Sequence, residues 1–193
     1  MEVRNLSSDA EDFTGNVWLL KGSENILIDV GEGDCWEEIS ELESISKVIL
    51  THTHHDHIGN LSKIVEKYDP VIYCFEPENI DHDAEKISED DTIELNGSDF
   101  KVFHTPGHKD DSLCLYSKAE RVLFTGDLIF PEGSHGRTDL KEGDRDLLID
   151  SIEKIEKLDV DRFYSGHGEA VVKDANDWIT QSLKEAKKRN SKY

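Results

Sequence analysis

Four histidines and an aspartate crowd into six residues, His52-Thr53-His54-His55-Asp56-His57. The run follows the apolar triplet Val48-Ile49-Leu50 and precedes Ile58, Leu61, Ile64, Val65 and Tyr68, which recur at helical spacing. It therefore reads as the loop at the carboxyl end of a buried strand, where open sheets turn sharply and side chains converge on ligands. So many polar rings cannot be packed dry, because each unpaired polar group is costly to bury. A cation that accepts neutral imidazole nitrogens and a carboxylate resolves the conflict.

One loop rarely completes a coordination sphere, so further ligands are expected at the ends of later strands. His108 lies in Thr105-Pro106-Gly107-His108, Asp127 in Thr125-Gly126-Asp127, and His167 in Ser165-Gly166-His167-Gly168. Each follows an apolar strand candidate and adjoins a glycine that lets the backbone approach a crowded centre. Asn16–Lys21 and Asn25–Val30 read as a hairpin about Gly22 and Ser23. Further strands are expected at Val71–Phe75, Phe100–His104, Leu113–Tyr116, Val122–Thr125 and Arg162–Tyr164. Helices are expected over Asp146–Leu158 and around Trp178, Ile179, Leu183 and Ala186, the latter ending in the basic cluster Lys184–Lys192. Many strands with interspersed helices predict an α/β or α+β sandwich.

Composition narrows the function. The 193 residues carry 43 Asp+Glu against 22 Lys+Arg, a formal net charge of -21. That field repels phosphate backbones and anionic lipid, so neither nucleic acid nor a membrane surface is an expected partner. The acid is spread along the chain, which suits a solubility device for a salt-loving organism. The length fits a single domain, 1–193. No apolar run reaches the roughly 18 residues of a membrane span. Met1–Ala10 lacks a signal-peptide pattern, so a cytoplasmic location is expected. Cys35, Cys74 and Cys114 read as small hydrophobes in a reducing compartment.

Ile26-Leu27-Ile28-Asp29-Val30-Gly31, the His52–His57 motif, Thr105–His108, Gly126-Asp127 and Gly166-His167-Gly168 occur in the order of the metallo-β-lactamase-fold hydrolases, which the chain closely resembles over nearly its whole length. The resemblance implies a four-layer αβ/βα sandwich with two divalent metal ions in the cleft between its halves. Zinc is the expected metal, with iron and manganese as alternatives. Carried over, His52, His54 and His108 hold the first ion, Asp56, His57 and His167 the second, and Asp127 bridges them. Asp29 is implied to orient the metal loop from behind. His104 reads as a support behind the ligand loop, His135 as a substrate-cleft candidate, and His55 and His82 as outward-pointing.

Two cations roughly 3.5–4 Å apart hold a hydroxide between them and lower the pKa of water to about 7. Asp56 is expected to orient that hydroxide. Thiols have a pKa near 8.5 and leave readily, so a site without a strong general acid suits a thioester. Gly136-Arg137-Thr138-Asp139 is similar to a stretch in the glyoxalase II-like branch, which hydrolyses S-2-hydroxyacyl thiols such as S-D-lactoylglutathione. Arg137 and Asp139 are expected to form a buried pair that fixes this loop, with Arg137 also a substrate-cleft candidate. The helical domain that holds glutathione in that branch is not expected here. Persulfide dioxygenases share the fold and this stretch, using one iron on the equivalents of His52, His108 and Asp127, and form the main alternative. Lactonase or lactamase activity and a purely structural metal module are lesser ones. The expected partner is a small acyl-thiol substrate; the oligomeric state is left open.

Overall fold

Leu19 and Leu20 are adjacent and both fully buried, yet they belong to different cores, because successive side chains of a strand face opposite ways. The same division runs through Leu27 against Ile26 and Ile28, and Leu123 against Val122 and Phe124. Sheets buried on both faces need a layer on each side, and the sequence supplies helices for both.

The computed structural model describes residues 2–188. In chain order the elements are β1 (Glu2–Asn5), β2 (Trp18–Lys21), β3 (Asn25–Ile28), α1 (Trp36–Ser40), β4 (Lys47–Ile49), α2 (His55–Ile58), α3 (Leu61–Tyr68) and β5 (Val71–Cys74). Then come β6 (Glu85–Lys86), β7 (Thr92–Leu95), β8 (Ser98–His104), β9 (Leu113–Ser117), β10 (Val122–Gly126), β11 (Ile129–Phe130), β12 (Ser134–His135), α4 (Arg145–Ile155), β13 (Arg162–Ser165) and α5 (Ala175–Lys187). One sheet has the order β1-β2-β3-β4-β5-β6, the other β13-β10-β9-β8-β7, and β11 pairs with β12. The first is antiparallel through β3 and parallel from β3 to β6. In the second only β10 and β13 run parallel.

Three apolar clusters define four layers. Trp18, Leu20, Phe100, Leu115 and Phe124 fill the space between the sheets. Ile39 of α1 and Leu61 and Ile64 of α3 pack on the outer face of the first sheet. Leu148 and Ile152 of α4 and Ile179 of α5 cover the second. This is the αβ/βα sandwich.

The expected hairpin, strands and helices are present, with three departures. The motif is not wholly a loop: its second half, from His55, begins α2. The helical stretch after it is also two pieces, because Asn60 is fully buried and docks on the loop after β3, its amide donating to the Gly31 carbonyl at 3.0 Å. Within the polar start Met1–Ala10, residues 2–5 form an edge strand that pairs with β2 and keeps no fully buried side chain. The basic cluster places Lys184 and Lys187 in the last turn of α5, and its residues 189–192 lie outside the described residues. All three cysteines are free and buried, and burial pushes the Cys74 and Cys114 thiols up to about 12.

Candidate metal centre

Parallel pairing of β3 with β4 brings Asp29 and Thr51 together at the carboxyl ends of their strands. Asp29 sits in the left-handed region (φ 59°), a conformation aspartate tolerates better than most residues. Its buried carboxylate accepts from the Thr51 amide and hydroxyl, both at 2.7 Å, and from His57 Nδ1 at 2.8 Å. One proton of His57 is thereby held on Nδ1, which leaves Nε2 as the atom that faces the centre. His108 follows the same logic, donating from Nδ1 to the Arg137 carbonyl at 2.9 Å. Its Nε2 then lies 2.9 Å from His54 Nδ1, two ring nitrogens converging on one point.

Seven side chains assemble from the ends of β4, β8, β10 and β13. Potential ligand atoms of His52, His54 and His108 lie within 4.8 Å of one another, as do those of His52, His57 and Asp127, and those of Asp56, His57 and His167. Asp127 stands between the groups. Its Oδ1 is 3.3 Å from His57 Nε2, and its Oδ2 is 3.4 Å from His108 Nε2 and 3.5 Å from His167 Nε2. Asp56 Oδ2 is 3.2 Å from His167 Nε2. Such proximity demands glycine at Gly166, where a Cβ would fall on Asp127 Oδ1.

His52 Nε2, His57 Nε2 and Asp127 Oδ1 are buried without a hydrogen-bond partner. Three orphaned polar atoms aimed at one centre are the signature of a site built for cations, and the mixed imidazole–carboxylate set suits divalent ions such as zinc or iron. The electrostatics agree. Burial, reinforced by neighbouring histidines, pushes His52 well down and His54 down, so both rings stay neutral and able to ligate. Burial would also lower His57 and His167, but carboxylates outweigh it: Asp29 and Asp127 hold His57 well above its usual value, and Asp127 and Asp56 push His167 up to about 9. Burial opposes ionisation of Asp127 and Asp56, yet histidine neighbours keep both below the usual carboxylate range. Without an ion, these carboxylates draw protons onto imidazoles, where a cation would take their place.

The remaining histidines divide as follows. The His55 side chain is 83% exposed and pairs with Glu32 at 3.1 Å. His82 bonds to Ser62 Oγ at 2.9 Å, away from the site. His104 stacks on Phe75 at 3.9 Å and bonds to the Asp110 carbonyl at 2.7 Å, holding the loop that carries His108. His135 lines the cleft over the centre. One expectation is corrected: Arg137 and Asp139 do form a bidentate pair, at 2.8 Å for each contact, but it is not buried. Their side chains are 61% and 69% exposed. The pair lies at the cleft mouth, and the segment is fixed instead by backbone: the Gly136 amide donates to the Leu128 carbonyl, and the Arg137 carbonyl holds His108.

Sequence reasoning missed Phe13, Phe130 and Leu140, which give the cleft of about 500 Å³ its apolar walls. For Phe13 a signal existed, a lone aromatic directly after the acidic run Asp9-Ala10-Glu11-Asp12. It also missed buried Asp111, which accepts from Thr53 Oγ1 at 2.5 Å and Asn79 Nδ2 at 2.9 Å and pairs with Lys109 at 3.1 Å, tying the His108 loop to the motif. Asn16 Nδ2 donates to the Ser165 and Gly168 carbonyls at 2.9 and 2.8 Å, pinning the loop that carries His167.

A family model described as the metallo-beta-lactamase superfamily matches residues 10–81 and 75–167. The chain belongs to the metallo-beta-lactamase superfamily. Among curated members it is 31% identical over 188 residues to a beta-lactamase-like protein 2 homolog of Caenorhabditis elegans, covering 88% of this chain and 62% of that protein. It is 30% identical over 187 residues to an atrochrysone carboxyl ACP thioesterase of Aspergillus fumigatus (90% and 56%). It is 31% identical over 139 residues to a hydroxyacylglutathione hydrolase of Francisella philomiragia (70% and 55%). The chain thus spans little more than half the length of these relatives. Among solved structures of the superfamily, the BLEG-1 B3 metallo-beta-lactamase superposes with a TM-score of 0.75 at 28% identity, covering 95% of this chain and 97% of that one. Among the described residues, no helix is long and apolar enough to cross a membrane.

Proposed function

We propose that this superfamily member is a thioester hydrolase acting on S-2-hydroxyacyl thiols, small-molecule substrates met in the cytoplasm. We infer that His52, His54 and His108 hold one divalent ion, zinc in the first instance, that Asp56, His57 and His167 hold a second, and that Asp127 lies between them. The carrying observation is the convergence of two ligand groups on one buried carboxylate, with three orphaned polar atoms facing the centre. Relatives that include a hydroxyacylglutathione hydrolase and an acyl-carrier thioesterase support the same class.

When bound, such a pair of ions lowers the pKa of water to about 7 and polarises a carbonyl oxygen. The chain's own residues do the rest. Asp56, partly open to the cleft and kept ionised beside His167, accepts a hydrogen bond from the attacking water and aims it at the acyl carbon. Asp29 keeps the His57 ring in one tautomer through the cycle. The water oxygen gives up its proton past Asp56 to solvent as it forms the new C–O bond, the C–S bond breaks, and the thiolate leaves without a strong acid because thiols ionise readily.

The test is metal analysis of protein purified without added metal, together with cleavage of S-lactoyl thiols. About two ions per chain and hydrolysis are expected. Asp56→Ala should lower kcat by 10²–10⁴-fold while the chain stays folded. A single iron with oxygen consumption on a persulfide would overturn the proposal in favour of a dioxygenase built on His52, His108 and Asp127.

A further inference from the structure

We propose that the cleft selects thioesters whose thiol portion is uncharged and aromatic, gripped by Phe13 and Phe130 beside His167, and discriminates against thiols that carry carboxylates. The inference rests on the hydrolase reading and names the substrate class of that site.

Phe13 is 76% exposed, more than any other large hydrophobic side chain among the described residues. Folding gains little from such a ring, so most of its apolar area remains available to a ligand. Its place is not accidental. It stacks on the His167 imidazole at 5.4 Å with planes 22° apart, and Phe130 meets the same imidazole edge-on at 5.8 Å. The loop that carries Phe13 is tethered on both sides: the Glu11 amide bonds to Asp34 at 2.8 Å, and the Gly15 amide to the Asp56 carbonyl at 2.9 Å. Two aromatic rings, one stacked and one edge-on, therefore flank a metal-ligand candidate in a pre-set geometry, which keeps the ordering cost of binding low.

Charge decides what these faces accept. A second arm of the cleft, about 460 Å³, shares Phe130 and His167 and is edged by Glu132 and Glu169. Among the described residues, Arg137 is the only lysine or arginine lining either arm, and Asp139 already occupies its guanidinium from two atoms. Away from the metal centre, an incoming carboxylate meets acidic edges, an arginine already paired with Asp139 and a molecule of formal net charge -21. An uncharged ring meets none of these penalties.

The experiment is calorimetric binding to the metal-loaded protein of two uncleavable thioethers, 2-hydroxypropyl benzyl sulfide and S-(2-hydroxypropyl)glutathione. The benzyl compound should bind at least about tenfold more tightly than the glutathione compound. Phe13→Ala should weaken benzyl binding about tenfold, whereas Val172→Ala, an exposed apolar residue outside these arms, should leave it within about twofold. Equal or tighter binding of the glutathione compound, no measurable binding of the benzyl compound, or indifference to Phe13 each overturns the proposal. Cleavage of S-lactoyl thiols is followed in parallel. Phe13-dependent binding without any cleavage would remove the hydrolase reading and keep the aromatic grip; cleavage with Phe13-independent binding would do the reverse.

Discussion

Asp29 shows how one side chain can govern a centre it does not touch. Its two oxygens take three donors, two from Thr51 and one from His57. Asparagine tolerates the same left-handed backbone, but its amide nitrogen would present N–H to the His57 ring and favour the wrong tautomer. Asp29→Asn should therefore weaken metal binding 10–100-fold. Competition against a chromogenic chelator measures this directly, and an unchanged affinity would reduce Asp29 to a turn residue. The exposed Arg137–Asp139 pair teaches the opposite lesson. Asp139 is held down at about 2 by its hydrogen bonds to Arg137, yet a solvated pair of this kind contributes little to folding.

At the scale of elements, α4 does more than cover a sheet. Asp144 caps it, accepting from the Asp146 and Leu147 amides at 2.9 and 3.0 Å, and the Asp144 amide donates to the Gly107 carbonyl at 2.8 Å. The helix start is thus joined to the loop that carries His108. Asp144→Ala should cost about 1 kcal/mol of stability through the lost cap. Urea unfolding reads this as a lower midpoint at unchanged slope. The backbone bond to Gly107 survives the substitution, so metal stoichiometry should hold; loss of an ion would mean that the cap itself positions the loop.

The whole molecule carries its acid as a field. With 43 acidic against 22 basic residues, self-repulsion opposes the compact state, and salt relieves it because the Debye length shortens from about 30 Å at 0.01 M to about 3 Å at 1 M. The surface pairs are exposed and weak, so their screening should not offset this gain. The melting temperature should rise by several degrees between 0.01 and 1 M sodium chloride. A flat or falling curve would show that attractive pairs dominate the surface, against the solubility reading of the charge.

Much of this protein can be read from local pattern. The strand cores Ile26–Ile28, Val48–Leu50 and Val122–Thr125 declare themselves because sheets buried on both faces need unbroken apolar runs. The motif points to a metal because so many polar side chains at a buried strand end have no dry packing, even though one of them, His55, turns to solvent. Weak or mixed patterns stayed hidden: the polar edge strand β1, the short helix α1, the strand β7, the two-residue β6, β11 and β12, and the break at Asn60, whose cause is a docking contact with the loop after β3. The sequence by itself determined which kinds of side chain gather and the strands that deliver them, since both are properties of composition and spacing. Only the tertiary structure decided which atoms meet: that Asp127 lies between two groups, that the Arg137–Asp139 pair faces solvent, and that Phe13 leans on His167. Such juxtapositions arise between residues far apart in the chain, where no periodicity links them, and they are settled by how two sheets pack.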